Sequence, residues 1–441
     1  MIIYFAVTNF KSFKERVEFN MLAGNYKRFQ EHIYSEQSLN LLRCSAMYGN
    51  NGAGKSNLIL AMEKLQEIVK GVLEVENVDD LPYFKLDPIC IDQPTVFEIE
   101  FFFHGIRYSY YISFLKGKII EEWLVKVFQN NKTENIFNRT IKNNKTILVV
   151  GEKSKKTTTK ELMRMEIYAE ELSKKGNKPF LLDGFEKEVN GLIEPFLWFY
   201  FYLKIVRPGY SYPSKIKSFE DDNFKDKAKK ILTSLCLGID DIKIESVPLD
   251  DFLGKGDDIK SAKDEIDKSH FPKIVKKGKI EYSLYKNQKD EYVAAKIVTV
   301  HNQNVDFDFF EESTGTQKII ELLPSIISAI VEKDITYVFD EIETSKHPEV
   351  IKELLRIFLN AGNTHSGQII FSTHECNLLD LDLLRQDEIW FAEKDQKGVS
   401  HIYSLSDFKP RFDKDIRKGY LEGQFTKIPF FTNPKELNWN E

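Results

Sequence analysis

The stretch Gly49-Asn50-Asn51-Gly52-Ala53-Gly54-Lys55-Ser56 constrains this chain more than any other. Two glycines separated by four residues and followed by Lys and Ser fit the phosphate-cradling pattern of a P-loop. Gly49, Gly52 and Gly54 let the backbone take positive φ and pass close to a polyphosphate, so that successive amides converge on the same oxygens. Lys55 is placed to neutralise β and γ phosphates, and Ser56 to ligate Mg²⁺. Together with Asn50, Asn51, Ala53 and the following Asn57, these residues form the expected nucleotide-contacting set. The flanks agree: Leu41, Leu42, Cys44, Ala46, Met47 and Tyr48 read as a buried strand. Leu58, Ala61, Met62, Leu65, Ile68, Val69 and Val72 recur at helical spacing. Strand, glycine loop and helix in that order demand an α/β fold, with the helix N-terminus adding partial positive charge under the phosphates.

At 441 residues the chain is long enough for two or three structural units, or for one α/β domain carrying an insertion. Its 42% hydrophobic and 29% charged residues describe a soluble globular protein. A net charge of −6 and a pI near 5.9 argue against a surface that coats nucleic acid, though not against a local basic groove. Cys44, Cys90, Cys236 and Cys376 are scattered without a Cys-x-x-Cys pair, which suggests neither a disulfide framework nor a zinc site and fits a reducing cytoplasm. Met1 to Val7 reads as a strand rather than a signal peptide. Phe196 to Leu203 is far too short for a membrane span, so no membrane partner is expected; it reads as a buried strand or a partner-facing patch.

Ile2 to Phe19 holds two strand-like stretches around Asn9-Phe10-Lys11-Ser12-Phe13, which suggests an antiparallel lobe beside a parallel sheet. Thr95 to Phe103 and Tyr108 to Phe114 flank His104-Gly105, a hairpin signal, so the lobe is expected to continue to about residue 130. Beyond it the texture changes, with Lys153, Lys155, Lys156 and Lys160 clustered and a run from Asp250 to Lys279 dense in both signs of charge. This reads as a mixed, largely helical insertion, with helices over Lys160–Lys174 and Phe224–Leu235 and closing strands over Ile280–Tyr285 and Tyr292–Val300. No heptad repeat is sustained, so no long coiled-coil arm is encoded. The expected division is 1–130, 131–300 and 301–441.

The chemistry resumes late. Glu312-Ser313-Thr314-Gly315-Thr316 precedes a helix with the apolar face Ile319, Leu322, Leu323, Ile326, Ile327 and Ile330. Ser313 and Gly315 can bind an anion there, although a Ser beside Gly is ordinarily a helix cap. Ile335 to Phe339 is an apolar run ending in Asp340-Glu341, a Walker B signal once the P-loop is granted. Asp340 would hold Mg²⁺ through water, and Glu341 would orient or deprotonate the attacking water. Pro348 fits the first position of a helix running to Leu359. Gln368 to Ser372 reads as a buried strand followed by Thr373 and His374, a histidine placed to sense the γ phosphate.

A P-loop, a distant Ser-x-Gly turn, an Asp-Glu strand end and a strand-terminal His, in that order, resemble the ATP-binding-cassette type heads of the RecF, Rad50 and chromosome-maintenance superfamily. The resemblance implies an ABC-type ATPase head, in which Ser313 and Gly315 contact the nucleotide held by a partner's Lys55 and Asp340, so that hydrolysis needs a homodimer or larger homo-oligomer. A closer resemblance lies in Phe5 to Phe13, in Glu312 to Thr316, in Ile389 to Asp395, in Tyr403 to Phe408, and in Gly419-Tyr420-Leu421-Glu422-Gly423-Gln424-Phe425 with Ile428-Pro429-Phe430. These are similar to bacterial AAA-family ATPases linked to abortive infection, relatives of the AbiL, Septu and PARIS ATPase components. Lys346 departs from this pattern, because relatives usually carry leucine before His-Pro, and Thr426 replaces a small residue common in the tail. Gln93, before Pro94, stands where a Q-loop would be sought.

These resemblances imply a cytoplasmic, ATP- and Mg²⁺-dependent ATPase that senses infection and controls a separately encoded effector, a nuclease or other toxin. The stretch after His374 is expected to be too short for a nuclease domain of its own. Nucleic acid is a further candidate partner for the lysine patches. A RecF-like DNA-repair clamp is the alternative reading, and a transporter's cytoplasmic ATPase is disfavoured by the large insertion and the Ser-Thr-Gly-Thr turn.

Overall fold

The computed structural model describes residues 1–425 apart from 78–79, 131, 144, 152–158, 175, 209–214, 255–256, 269–271, 279, 303–304, 345, 363–366 and 412–413. Lys153, Lys155 and Lys156, and in the tail Thr426 and Ile428-Pro429-Phe430, lie outside the described residues. The chain divides into two compact units, one of residues 1–207, 332–342 and 359–441, the other of 208–331 and 343–358.

The first unit is built around a six-stranded sheet in the order Leu203–Val206, Thr336–Phe339, Gln368–Ser372, Cys44–Tyr48, Ile389–Lys394, Ser400–Ser404. The first five strands run parallel and the last is antiparallel. All five residues of Cys44–Tyr48 are buried, as are all five of Gln368–Ser372, the pattern of strands covered on both faces. The register pairs Phe339 with Phe371, Phe371 with Ala46, and Ser372 with Met47. It therefore brings Asp340, Ser372 and the P-loop to one edge, the carboxyl ends of three neighbouring strands, where an open α/β sheet places its ligands.

Beside it lies an antiparallel sheet of seven strands, Lys145–Val150, Thr133–Lys142, Lys118–Val127, Ile106–Leu115, Thr95–Phe103, Ile2–Thr8 and Val17–Asn20. This is the lobe plus mainly parallel P-loop sheet expected of an ABC-type ATPase head. The His104-Gly105 hairpin forms as expected, both residues having positive φ. The lobe, however, runs past 130 to Val150. Its sixth and seventh strands are held by Glu122, which is fully buried and accepts from Tyr110 Oη at 3.0 Å, Arg139 Nη1 at 3.4 Å and the Phe180 amide at 2.7 Å. Burial pushes the Glu122 carboxyl up, while Arg139 beside it opposes that rise.

Phe196 to Leu203 is not a strand but the end of a helix, Ile193–Leu197, followed by a wide turn over Trp198–Tyr202. A tertiary contact overrides the β propensity of these aromatics: Gln66, on the helix Lys55–Val69 that follows the P-loop, donates from Nε2 to the Phe199 carbonyl at 2.8 Å. Trp198 stacks on Phe101 with ring centroids 4.1 Å apart.

The second unit, expected to be mostly helical, also carries an antiparallel sheet of five strands, Ile239–Pro248, Tyr292–His301, Ile280–Lys286, Lys273–Lys277 and Val305–Asp308. Helices Asp222–Ser234 and Asp257–Lys268 accompany it. The unit also contains the helix Thr314–Val331, so its end falls beyond residue 300. Among the described residues no helix is long and apolar enough to cross a membrane.

Gln368 knits the lobe to the parallel sheet. Its Oε1 accepts from the Ile2 amide at 2.8 Å, and its Nε2 donates to the carbonyls of Ile2 at 3.1 Å and Leu42 at 2.9 Å. Replacing the carboxamide leaves buried backbone groups without partners, so Gln368→Leu is expected to cost about 3 kcal/mol, read as a lower urea midpoint at unchanged m-value.

Candidate functional site

The P-loop leaves the strand Cys44–Tyr48 at Gly49, and backbone geometry there excludes any side chain. Gly49 has φ 152°, and a Cβ on it would meet the Ala392 carbonyl oxygen at 2.3 Å. Gly54, at φ 118°, leads into the helix Lys55–Val69, and a Cβ there would meet Ser400 Oγ at 2.6 Å. Asn51 and Gly52 are exposed at the loop tip, Asn50 is half-buried and Ala53 is buried. The Ala53 amide donates to the Asn50 carbonyl at 3.1 Å, which closes the turn.

Lys55 is 4% exposed. Its ammonium donates to the Gly49 carbonyl at 2.6 Å and the Asn50 carbonyl at 3.3 Å, and lies 3.4 Å from His374 Nδ1. The ammonium is thus held inside the loop by two carbonyls, a position from which phosphate oxygens can claim it.

Asp340 follows the strand Thr336–Phe339 and is buried. Its Oδ1 accepts from Ser56 Oγ at 2.9 Å and from Ser372 Oγ at 2.7 Å. A buried carboxylate that gathers the P-loop hydroxyl is a donor set of hard oxygens, the kind Mg²⁺ takes, so the residues fit the ion. Glu341 sits at φ 54°, an uncommon conformation for a non-glycine residue, and its amide donates to Ser372 Oγ at 2.8 Å. That bond turns the chain so that Glu341, partly exposed, reaches within 4.0 Å of His374 Nε2.

The first unit therefore brings together the whole expected set 49–57 with Asp340, Glu341 and His374. Ser313 and Gly315 lie in the second unit. Ser313 Oγ accepts from the Thr316 amide at 3.2 Å, so it caps the helix Thr314–Val331 while remaining exposed. Gln93 ends a short 3-10 turn, and its carbonyl accepts from Asn9 Nδ2 at 2.9 Å.

Three polar side chains went unassigned in the sequence. Ser372 orients both carboxylate-bearing residues, yet a serine near a strand end carries no distinctive signal. Ser12 accepts from Asn57 Nδ2 at 2.7 Å and from Ser400 Oγ at 2.8 Å, bracing the first turn of the P-loop helix from outside. The reciprocal Phe10–Phe13 backbone bonds, both 2.8 Å, close the turn that presents Ser12. Its position between two buried phenylalanines was the available signal.

Among solved structures the chain is similar to an SMC head bound to the C-winged helix domain of ScpA, at 14% identity and TM-score 0.42, covering 92% of this chain and 99% of that one. It is also similar to the SMC head domain from Thermotoga maritima, at 13% identity and TM-score 0.37, covering 91% and 98%. A third is the Smc head domain with an extended coiled coil bound to the C-terminal domain of ScpA derived from Pyrococcus furiosus, at 13% identity and TM-score 0.40, covering 92% and 97%. No curated protein matches the chain. A family model described as "AAA domain, putative AbiEii toxin, Type IV TA system" matches residues 44–149 and 171–381. The chain belongs to this AAA family. The matched residues hold the P-loop, Ser313, Asp340, Glu341, Ser372 and His374. Ser12, Ser400 and the C-terminal helix lie outside the match and are this chain's own additions to the AAA site.

In the turn after Glu341, the Lys346 ammonium donates to the Thr344 carbonyl at 3.2 Å. Burial first, and Lys318 second, push it down to about 8. A lysine with a lowered folded value binds fewer protons folded than unfolded. Its penalty is therefore full below about 8 and fades as pH rises toward the ordinary lysine value of 10.5. Lys346→Leu, the residue of relatives, is expected to raise stability by about 1 kcal/mol at pH 7, with the gain shrinking between pH 8 and 10 in urea titrations. Ser372→Ala is expected to lower ATP turnover about 10- to 100-fold in a phosphate-release assay, because Asp340 and the Glu341 amide both lose their shared hydroxyl.

Proposed function

We propose that the chain is the ATP-binding and ATP-hydrolysing sensor and scaffold subunit of a bacterial anti-phage, abortive-infection system, and that it controls a separately encoded effector. The observation that carries the ATPase reading is Asp340 Oδ1 joining the P-loop Ser56 to Ser372 at the sheet edge, with Lys55 on one side and Glu341 on the other. The defence context is supported by the family description, which speaks of an AbiEii toxin and a toxin–antitoxin system, and by the abortive-infection resemblance of the opening and tail segments.

Lys55 and the loop amides hold the β and γ phosphates, with Asn57 fixing the first turn of the helix beneath them. Ser56 and Asp340 hold Mg²⁺, which when bound supplies charge neutralisation along the phosphates. Glu341 takes a proton from the attacking water while the water oxygen bonds to the γ phosphorus and the bond from that phosphorus to the β–γ bridging oxygen breaks, giving ADP and phosphate. His374, between Lys55 and Glu341, reports whether the γ phosphate is present. Ser313 and Gly315 complete the site from a second copy of the chain, so hydrolysis requires a homodimer or a higher homo-oligomer.

Lys55→Ala is expected to abolish ATP binding in calorimetry. Ser313→Arg is expected to bind ATP within about three-fold of wild type and to hydrolyse it at least about 10-fold more slowly, and mixing the two variants should restore part of the activity. Ser313→Arg turning over at the wild-type rate would remove the second copy from the site. If the purified chain alone cut plasmid DNA in a Glu341-dependent manner, the division between sensor and effector would be wrong. Tight, ATP-dependent duplex binding without a protein partner would point to a repair clamp of the RecF kind.

A further inference from the structure

The segment Gly419-Tyr420-Leu421-Glu422-Gly423-Gln424-Phe425 lies beyond the family match, and the ATPase reading gives it no task. Its fold is specific. The short helix Ile416–Leu421 is capped by Asp415, which accepts from the Lys418 amide at 2.8 Å. It ends in paired bonds, the Gln424 amide to the Gly419 carbonyl at 2.9 Å and the Gly423 amide to the Tyr420 carbonyl at 3.0 Å, with Gly423 at φ 74°. This is the two-bond helix stop that needs a left-handed residue at its corner. A Cβ on Gly419 would meet Phe425 Cε2 at 2.7 Å, so the glycine lets Phe425 fold back over the helix.

That return places two rings on Phe391. Phe425 stacks on it at 5.6 Å and 5°, and Tyr420 at 5.7 Å and 15°. Tyr403 Oη locks the arrangement by donating to the Phe425 carbonyl at 2.8 Å. Phe391 belongs to the strand next to the P-loop strand, in register with Tyr48. Tyr420 therefore stands edge-on to Tyr48, 6.2 Å between centroids, beside the residue that starts the P-loop. Its hydroxyl faces the Gly49 amide, and burial pushes that hydroxyl up to about 12, so it stays protonated and neutral at physiological pH.

Gly49 is held from three sides. Tyr420 faces its amide, the Ala392 carbonyl closes off its α carbon, and its own carbonyl accepts the Lys55 ammonium at 2.6 Å. We propose that Tyr420 is a positioning residue of the nucleotide site, which fixes Gly49 and through it the Lys55 ammonium, so that the C-terminal helix and ATP occupancy are coupled. The inference rests on the ATP-site reading above. When a phosphate draws Lys55 away, the Gly49 carbonyl loses its partner and the residue leans on Tyr420 alone, so ATP and an ordered tail favour one another. By reciprocity, whatever moves the tail changes ATP affinity by the same factor.

The test compares full-length wild type, Lys55→Ala and Tyr420→Phe for ATP binding and for kcat and KM. Tyr420→Phe keeps the ring and removes the hydroxyl. It is expected to raise the Kd for ATP about five-fold while kcat changes less than about two-fold, a split that loss of fold would not produce. Wild type binding ATP, Lys55→Ala not binding, and Tyr420→Phe binding as wild type does would overturn this inference alone. Wild type failing to bind ATP would overturn the ATP reading and this inference with it. If Tyr420→Phe does not fold, hydrogen exchange of the wild-type chain decides. The amides of 416–425 are expected to exchange at least about three-fold more slowly with a non-hydrolysable ATP analogue than without it. Unchanged exchange there would overturn the coupling.

Discussion

One carboxylate oxygen organises this molecule's chemistry. Asp340 Oδ1 accepts from the hydroxyls of Ser56 and Ser372, and those three residues come from three separate segments of the chain. The bond to Ser56 ties the P-loop helix to the Asp340 strand, and the bond to Ser372 ties that strand to its neighbour. Because Ser372 Oγ also accepts the Glu341 amide, the same small cluster sets the direction of Glu341. An unshared carboxylate buried at this edge would be costly, and sharing it between hydroxyls makes it a stable seat for a hydrated cation.

The rest of the first unit keeps that cluster in register. The parallel pairing of Phe339 with Phe371 and of Phe371 with Ala46 fixes three strand ends at one level. Gln368 bonds the lobe to the sheet at the far end of the same strand that carries Ser372. Ser12 and Ser400 reach the P-loop helix from the lobe side and from the last strand of the sheet. Each of these contacts acts at a distance from the phosphates and limits how far the loop can drift, which is what holding groups within reacting distance requires.

The features legible in the sequence were those in which backbone geometry or charge dictates residue type. Gly49 and Gly54 are irreplaceable because backbone or side-chain atoms stand where a Cβ would be. Asp340-Glu341 was readable because two carboxylates after an apolar strand have few other uses. Features decided by tertiary partners were not legible. Phe196 to Leu203 carries strong β propensity, yet Gln66 and Phe101 make it a helix end and a turn. The lobe extends to Val150 because Glu122 finds Arg139 and the Phe180 amide, a set scattered over nearly sixty residues. Ser372 and Tyr420 matter through what they touch, and neither residue type announces that alone.

The account depends most on Glu341 acting on water at a site that binds ATP without it. Phosphate release by Glu341→Gln at saturating Mg²⁺-ATP tests this directly. The geometry predicts ATP binding close to wild type and turnover reduced at least about 100-fold. Turnover at the wild-type rate would contradict it.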